Sequence, residues 1–223
     1  DVTVWSPPHI LLLFAGTCIS LGFIYFERLY MHVETHERKA VPGMEFFILV
    51  LMFAIALIGL SIVVAEFEFT RAIPPSHESQ TRSGLLYYML LGGSALFIFA
   101  LAKTLVSARW IATCIALLYL ALRFAGQYVL LDARAWPILP LALLPAAVIS
   151  DMLPWKNWRA RWIAILTGGV IFVYAHSAYA MYLNAERFVL DTWTVIGSST
   201  VALLGGMIGM FVGSVVLGRV RRS

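Results

Sequence analysis

Long apolar runs alternate with short polar stretches along the whole chain. Seven of these runs have roughly the length of a membrane span, and they cover residues 9–30, 44–65, 85–105, 110–131, 137–153, 162–183 and 194–217. A helix needs about 20 mainly apolar residues to cross the hydrocarbon core of a bilayer. The pattern therefore predicts an all-α, polytopic membrane protein in which about seven transmembrane helices form a single domain over residues 1–223.

The fifth run, 137–153, is shorter than the others and contains Pro137, Pro140 and Pro145. Proline removes a backbone hydrogen bond from a helix interior and usually kinks or ends the helix. Irregular backbone at membrane depth is tolerated where protein or a water-filled cavity surrounds it. We therefore expect this segment to be kinked or partly re-entrant.

The composition points to the same class of protein. The sequence is 61% hydrophobic and 13% charged, whereas about 25% of the residues in ordinary globular domains are charged. Such a chain cannot cover itself with a solvated polar surface, so we expect it to be solvated by the lipid bilayer of a cell (inner) membrane. Its two cysteines, Cys18 and Cys114, fall inside predicted helices, where small buried apolar residues are the simplest interpretation.

Basic residues divide unequally between the two predicted sides of the membrane. Lys and Arg favour the cytoplasmic side, which indicates that the N-terminus lies outside and the C-terminus inside. The four basic residues left outside are Arg71, Arg82, Arg134 and Arg187, and the eleven inside are Arg28, Arg38, Lys39, Lys103, Arg109, Lys156, Arg159, Arg161, Arg219, Arg221 and Arg222. This topology accounts for the net charge of +4, and we expect no nucleic-acid partner because no basic patch is interleaved with aromatic residues.

Histidines and carboxylates collect on the predicted outer side. His9 follows Ser-Pro-Pro at the start of the first helix, Glu66 and Glu68 end the second, and His77 lies in the loop that follows. Imidazole and carboxylate groups at one membrane surface are a suitable donor set for a mixed nitrogen and oxygen metal site. The alternative is that these are ordinary polar residues of a loop and a membrane interface.

Two ionisable residues lie within predicted helices, where such residues are costly and often functional. Arg123 is expected either to contact a carboxylate, a cofactor propionate or a lipid phosphate, or to extend its side chain to the outer surface. His176 is expected either to ligate a metal or haem, or to be a hydrogen-bonded structural histidine.

Other ionisable residues fall at helix ends on the predicted inner side. His32 and His36 have the i, i+4 spacing that can grip a metal, but their stretch is highly charged, which favours a solvated segment beside the membrane. Asp151, near the end of the fifth run, is expected to pair with Lys156 or to cap the next segment.

The seventh run carries Gly205, Gly209 and Gly213 at four-residue intervals, which places them on one helix face. Small residues at this spacing let helix backbones approach closely in lipid. The pattern predicts a close-packing surface, and the expected partners of this face are other membrane subunits or a second copy of the chain. The spacing leaves open whether the contact is made within the chain.

The opening sequence, DVTVWSPPHILLLF, resembles a segment of the C subunit of the copper-dependent membrane monooxygenases, the particulate methane and ammonia oxidisers. The next hairpin is similar in outline, with the acidic helix end VAEFE followed by a proline-containing loop with a histidine. The resemblance covers roughly residues 1–95. It implies that His9 is a copper ligand and that Glu66, Glu68 and His77 belong to the site or its second shell. In that family another Asp and His precede the Pro-x-His element, which would place them before Asp1.

The resemblance implies a membrane subunit of a multi-subunit complex that binds copper near the outer face and belongs to a monooxygenase. It assigns no residue a catalytic role. The alternative is a scaffold or anchor subunit without metal in a respiratory or photosynthetic complex. A small-solute transporter is a third interpretation, which the lack of an internal repeat or paired broken helices disfavours.

The topology can be tested by cysteine labelling in sealed vesicles. With cysteine introduced at one position at a time, we expect the 66–84 loop to react with an impermeant reagent from outside, and Ser223→Cys to react only from inside. The reason is the unequal distribution of Lys and Arg. Outside labelling at position 223 would show that the orientation is wrong.

Overall fold

The computed structural model describes the backbone of residues 7–34, 43–69, 84–106, 108–130, 139–153, 155, 157–182 and 192–220. Within these ranges the side chains of residues 7–10, 13, 28–34, 62–69, 84–86, 127–130, 180, 181, 194, 219 and 220 lie outside the description. The described part of the chain contains α-helices and no strand. Its helices are α1 (Pro7–Glu34), α2 (Gly43–Phe69), α3 (Gly84–Leu105), α4 (Ile111–Leu130), α5 (Leu143–Met152), α6 (Trp158–Tyr182) and α7 (Thr192–Val220).

The predicted all-α architecture is therefore confirmed for the described residues, and each apolar run overlaps with one helix. Within the described part of the chain, four segments are long and apolar enough, by length and composition, to cross a membrane, namely Gly43–Ser61, Tyr87–Leu105, Trp158–Tyr179 and Val195–Gly218. Large apolar side chains are exposed on many of the helices; Leu11, for example, is 73% exposed and Phe211 is 68% exposed. An exposed apolar surface of this kind is suited to contact with lipid rather than water.

The first two helices pack against each other, and α1 makes few other contacts. The 28 residues of α1 form a helix about 42 Å long, whereas the connecting residues 35–42 can span at most about 29 Å. A connection of this length cannot run back along the whole helix. The two helices are therefore antiparallel, and the start of α1 lies at the same end of the pair as the end of α2.

Helix α3 lies at the centre of the bundle and contacts every other helix from α2 to α7. Its closest neighbour is α7, and the two backbones touch at glycines. A Cβ atom added at Gly205 would collide with the carbonyl oxygen of Gly93, and one added at Gly209 would collide with the carbonyl oxygen of Phe97. At Gly213 it would lie 2.8 Å from the Cβ atom of Thr104.

These contacts confirm that the seventh helix carries a close-packing surface, and they assign it to a neighbour within the chain. The residue numbers of the contacts increase in the same direction along both helices, so α3 and α7 are parallel. The third and seventh segments of a bundle with alternating helix directions should be parallel. In this structure α3 occupies the glycine face. Binding of other membrane subunits or of a second copy of the chain stays a prediction.

The fifth run, which its prolines led us to expect to be kinked or partly re-entrant, contains a short helix. Helix α5 has 10 residues and is about 15 Å long, which is about half the thickness of a bilayer's hydrocarbon core. A turn precedes it, in which the Leu143 N–H donates to the Pro140 carbonyl at 3.0 Å. Pro145 lies in the first helical turn, where the missing N–H would have no partner within the helix. Helix α5 therefore does not cross a membrane by its own length.

The contact between α3 and α7 predicts unequal effects of the same substitution at two glycines of α7. Gly209→Ala should destabilise the protein by about 1–3 kcal/mol, because its methyl group overlaps the α3 backbone. Gly218→Ala is the matched control, since a Cβ atom there meets nothing within 4 Å. Thermal unfolding in detergent measures both, and equal melting temperatures for the two variants would contradict the close contact.

Candidate functional site

The residues predicted to bind metal fall at the edge of the described part of the chain. His9 lies in the first turn of α1, and Glu66 and Glu68 lie in the last turn of α2. The antiparallel arrangement of α1 and α2 brings these two turns to the same end of the helix pair. The side chains of all three residues, and the whole of His77, lie outside the described residues. The copper site thus stays a prediction.

The described part of the chain offers no alternative metal centre. Among those residues no group of three or more His, Cys, Asp or Glu side chains is placed to hold a metal ion. The two predicted buried polar residues that are described, Arg123 and His176, lie in different helix contacts. Arg123 contacts one aromatic ring, and His176 contacts several.

Arg123 packs inside the contact between α2 and α4. It is 6% exposed, and its guanidinium carbon lies 5.7 Å from the centre of the Tyr119 ring. The Tyr119 hydroxyl and the Ser61 hydroxyl form a hydrogen bond of 2.9 Å, while Ser61 also donates to the Leu57 carbonyl at 2.7 Å. The guanidinium is therefore held within the chain by a cation–π contact. The burial of Arg123 disfavours the alternative in which it extends to the membrane surface, and its contact with a carboxylate, a cofactor propionate or a lipid phosphate stays a prediction.

His176 is completely buried between α3 and α6. Its ring centre lies 4.8 Å from that of Tyr87, 5.4 Å from that of Tyr88 and 5.9 Å from that of Phe172. Next to it, Ser177 forms a hydrogen bond with the Tyr88 side chain. Rings at these separations pack as aromatic pairs do in protein cores. The surroundings of His176 therefore favour the structural histidine over the metal or haem ligand.

A third polar cluster, which the sequence did not reveal, joins four helix ends. The Asp151 carboxylate at the end of α5 lies 3.1 Å from the Lys103 ammonium at the end of α3. It also accepts hydrogen bonds from the backbone N–H of Thr113 at 2.7 Å and from the Thr113 hydroxyl at 2.8 Å. The Ala112 N–H approaches the same carboxylate at 3.4 Å. Asp151 thus caps the start of α4 from a different helix.

Helix α6 joins this cluster through Trp155. The Trp155 indole N–H donates to the Thr104 hydroxyl at 3.4 Å, and the Trp155 carbonyl accepts from the Arg161 Nε at 2.8 Å. The first turn of α6 is capped by Asn157, whose side-chain oxygen accepts from the Ala160 N–H at 2.7 Å. The ends of α3 and α5 and the starts of α4 and α6 therefore meet at one end of the bundle, which we call the Asp151 end.

The electrostatics of the Asp151 end explain why two buried charges are stable there. The Lys103 side chain is 8% exposed and that of Asp151 is fully buried, so both charges are largely removed from water. A buried charge is costly unless it is paired and hydrogen-bonded. Asp151 meets both conditions, and the dipoles of the start of α4 and the end of α3 favour a carboxylate and an ammonium respectively. The cluster is suited to holding helix ends together rather than to reacting.

The contacts observed for Asp151 are not the ones that the sequence suggested. The sequence suggested a pair with Lys156 or a cap on the next segment, whereas the structure shows a pair with Lys103 and a cap on the start of α4. Lys156 lies outside the described residues, so a contact with it stays a prediction. The sequence carried a signal for this pair, since Lys103 and Asp151 each end an apolar run and alternating helices bring those ends to the same side. The cap on the start of α4 depends on tertiary packing that no local pattern reveals.

Comparisons with known proteins add no identity. No family model matches the sequence, and no curated protein or solved structure is significantly similar to it. The likeness of the opening segment to the monooxygenase C subunit therefore stays a resemblance.

The buried ion pair predicts strong coupling between Lys103 and Asp151. Asp151→Ala should cost about 3–5 kcal/mol of stability, because it leaves the buried Lys103 ammonium without its counter-charge. Replacing both residues, as Lys103→Met with Asp151→Leu, should cost less than the sum of the two single changes by about 0.5–3 kcal/mol. Chemical unfolding in detergent measures this cycle, and additive effects would show that the two side chains do not interact.

Proposed function

We propose that the chain is a multi-pass membrane protein in which the glycine contact of α3 and α7 and the ion pair of the Asp151 end form a rigid support. In this arrangement the N-terminus lies outside, the Asp151 end faces the cytoplasm, and α5 enters the membrane without crossing it alone. Support comes from the four helices of spanning length and from the exposed apolar side chains around them. The parallel directions of α3 and α7 also agree with a topology in which successive membrane segments alternate in direction.

The function we assign to this protein is that of a membrane subunit with a metal site at the outer end of the α1 and α2 pair. The observation that carries this proposal is the antiparallel packing of α1 and α2. It places the first turn of α1, with His9, at the same end as the last turn of α2, with Glu66 and Glu68. Histidine and carboxylate together suit copper or zinc, and the resemblance of the opening segment favours copper.

The donor set named here is incomplete by itself, because one histidine and carboxylates at a helix end hold copper weakly. A further histidine, His77, follows α2 after seven intervening residues, close enough along the chain to return to the same end. When bound, copper would supply redox chemistry. The protein's own residues would position the metal at the start of α1 and the end of α2. The buried contacts of α3 with α2 would keep the α1 and α2 pair in place.

A scaffold subunit without metal is the alternative, and one observation favours it. Arg123, His176 and the Asp151–Lys103 pair, which are ionisable residues of the bundle interior, are all used in contacts with their neighbours. A bundle whose interior polar residues serve its own packing would suit an anchor for other subunits. The two functions differ in whether the purified protein binds copper.

The test is the copper content of the full-length protein purified from membranes. We expect His9→Ala to lower copper affinity by at least about tenfold, since even residues behind the ligands contribute that much at metal sites. His32→Ala is the matched control, because His32 lies in the same helix at its opposite end, and this variant should keep its copper.

Both outcomes can be read without an activity assay. Copper bound to the wild type and to His32→Ala but lost from His9→Ala would support the metal site. Equal copper content in all three proteins, or none in the wild type, would overturn it in favour of the scaffold subunit. Melting temperatures of the three proteins establish that loss of copper does not reflect unfolding.

A further inference from the structure

The hydroxyl of Ser198, on α7, is buried without a hydrogen bond to its own helix. Serine and threonine hydroxyls inside helices can donate to a carbonyl three or four residues earlier. Ser198 is 0% exposed, and among the described residues its oxygen has no hydrogen-bond partner. A buried hydroxyl without a partner is costly, so this one indicates a ligand. Six other hydroxyls of the described helices do bond to their own helix, namely those of Ser20, Ser61, Thr104, Ser150, Thr200 and Ser214.

Contacts one turn further along α7 show which helices cover Ser198. Ala202 packs between α3 and α6, since a Cβ atom added at Gly92 would lie 3.8 Å from the Ala202 Cβ atom, and one added at Gly169 would lie 3.0 Å from it. Residues four apart lie on nearly the same face of a helix. Ser198 therefore lies on the face of α7 that α3 and α6 cover, in agreement with its complete burial.

On α3, the residue at the level of Ser198 is Tyr88. Helices α3 and α7 are parallel, so the step of one turn from Ala202 back to Ser198 matches the step from Gly92 back to Tyr88. The Tyr88 ring in turn packs against the imidazole of His176 on α6, with ring centres 5.4 Å apart. The contact of α3 with α6 thus brings His176 to the same region.

On α6, the level of Ser198 is reached shortly before His176. Helices α6 and α7 are antiparallel, because Gly206 contacts Ile165, whereas the residue one turn earlier on α7 contacts Gly169. One more turn back along α7, at Ser198, corresponds to one more turn forward along α6, three residues before His176. The two residues therefore lie less than one helical turn apart along the bundle, and both are completely buried.

This region offers hydrogen bonds but little space. Its polar groups are hydroxyls and an imidazole, which can both donate and accept hydrogen bonds. One turn away the helices are in tight contact, since a Cβ atom added at Gly92 would lie 3.1 Å from the Phe172 ring. A ligand there must be small and must form hydrogen bonds. The rings around His176 are those of Tyr87, Tyr88, Phe172 and Tyr179.

We propose that a water molecule is bound between the Ser198 hydroxyl and the His176 imidazole, where α3, α6 and α7 meet. Water can donate to or accept from the hydroxyl and either imidazole nitrogen. Ordered waters satisfy polar groups between membrane helices, and a buried water typically makes about three hydrogen bonds. The site would join α7 to the α3 and α6 contact through a polar link. It is separate from the proposed metal site and does not depend on it.

Water-edited solid-state NMR of the full chain in lipid bilayers tests this proposal. The chain is labelled with ¹⁵N-histidine, and the experiment detects ring nitrogens that receive magnetisation from nearby water. His176 is 0% exposed, so early transfer to its ring requires a water inside the bundle. We expect early transfer to His176 in the wild type, and Ser198→Ala should remove most of it. The variant His176→Gln identifies the His176 signal by its disappearance.

Thr200→Ala is the matched control. Thr200 lies two residues from Ser198 on the same helix, but it is exposed and its hydroxyl donates to the Ile196 carbonyl. This variant should leave the transfer to His176 unchanged. Ser198→Ala removes a single oxygen atom and adds no bulk, and its melting temperature shows whether the bundle stays folded.

Absence of early transfer to His176 in the wild type would overturn the proposal. Full transfer in Ser198→Ala would also overturn it, because the serine hydroxyl would then not hold the water. An equal loss in Ser198→Ala and Thr200→Ala would contradict it too, since that loss would be unrelated to the buried hydroxyl. None of these results bears on the copper content of His9→Ala.

Discussion

The close approach of α3 and α7 is the contact on which the rest of the bundle depends. Between helices in lipid there is little hydrophobic driving force, so association depends on packing at short range. Glycines on both helices remove the side chains that would separate the backbones, and the carbonyl oxygens of Gly93 and Phe97 lie directly against α7. Helix α3 then presents its remaining faces to α2, α4, α5 and α6.

Buried polar contacts determine how the shorter helices join this pair. Helix α5 is too short to be held by apolar packing along a full span, and its last turn is held by the bonds of Asp151 to Lys103 and Thr113. Because the same carboxylate caps α4, one side chain sets the relative height of three helices. In water, Lys103 and Asp151 could each be hydrated instead of pairing. Inside the bundle no water replaces the lost partner, so an unpaired charge there is costly.

The sequence predicted those features that follow from local pattern. Apolar run length predicted the helices, and the glycine interval predicted a packing face. The prolines of the fifth run led to the expectation of a kinked or re-entrant segment, and that run contains the 10-residue α5. It did not predict which helix fills that face, or that Asp151 pairs with Lys103, because both depend on positions far apart in the chain. For Arg123 the sequence left open whether the side chain contacts an anionic group or extends to the membrane surface. Its burial against the Tyr119 ring disfavours the surface position. The proposed copper ligands are the part that neither local pattern nor the described contacts determine.

Disulfide cross-linking between α3 and α7 tests the central contact most directly. A Cβ atom at Gly93 would lie 2.9 Å from the Cγ1 atom of Val201, which puts the two positions within reach of a disulfide, whose Cβ atoms lie about 3.5–4.5 Å apart. In a chain without Cys18 and Cys114, Gly93→Cys with Val201→Cys should cross-link rapidly under mild oxidation. Gly93→Cys with Leu204→Cys should cross-link far less, since the Leu204 side chain is 48% exposed rather than packed against α3. Equal cross-linking of both pairs, or none of the first, would contradict the account.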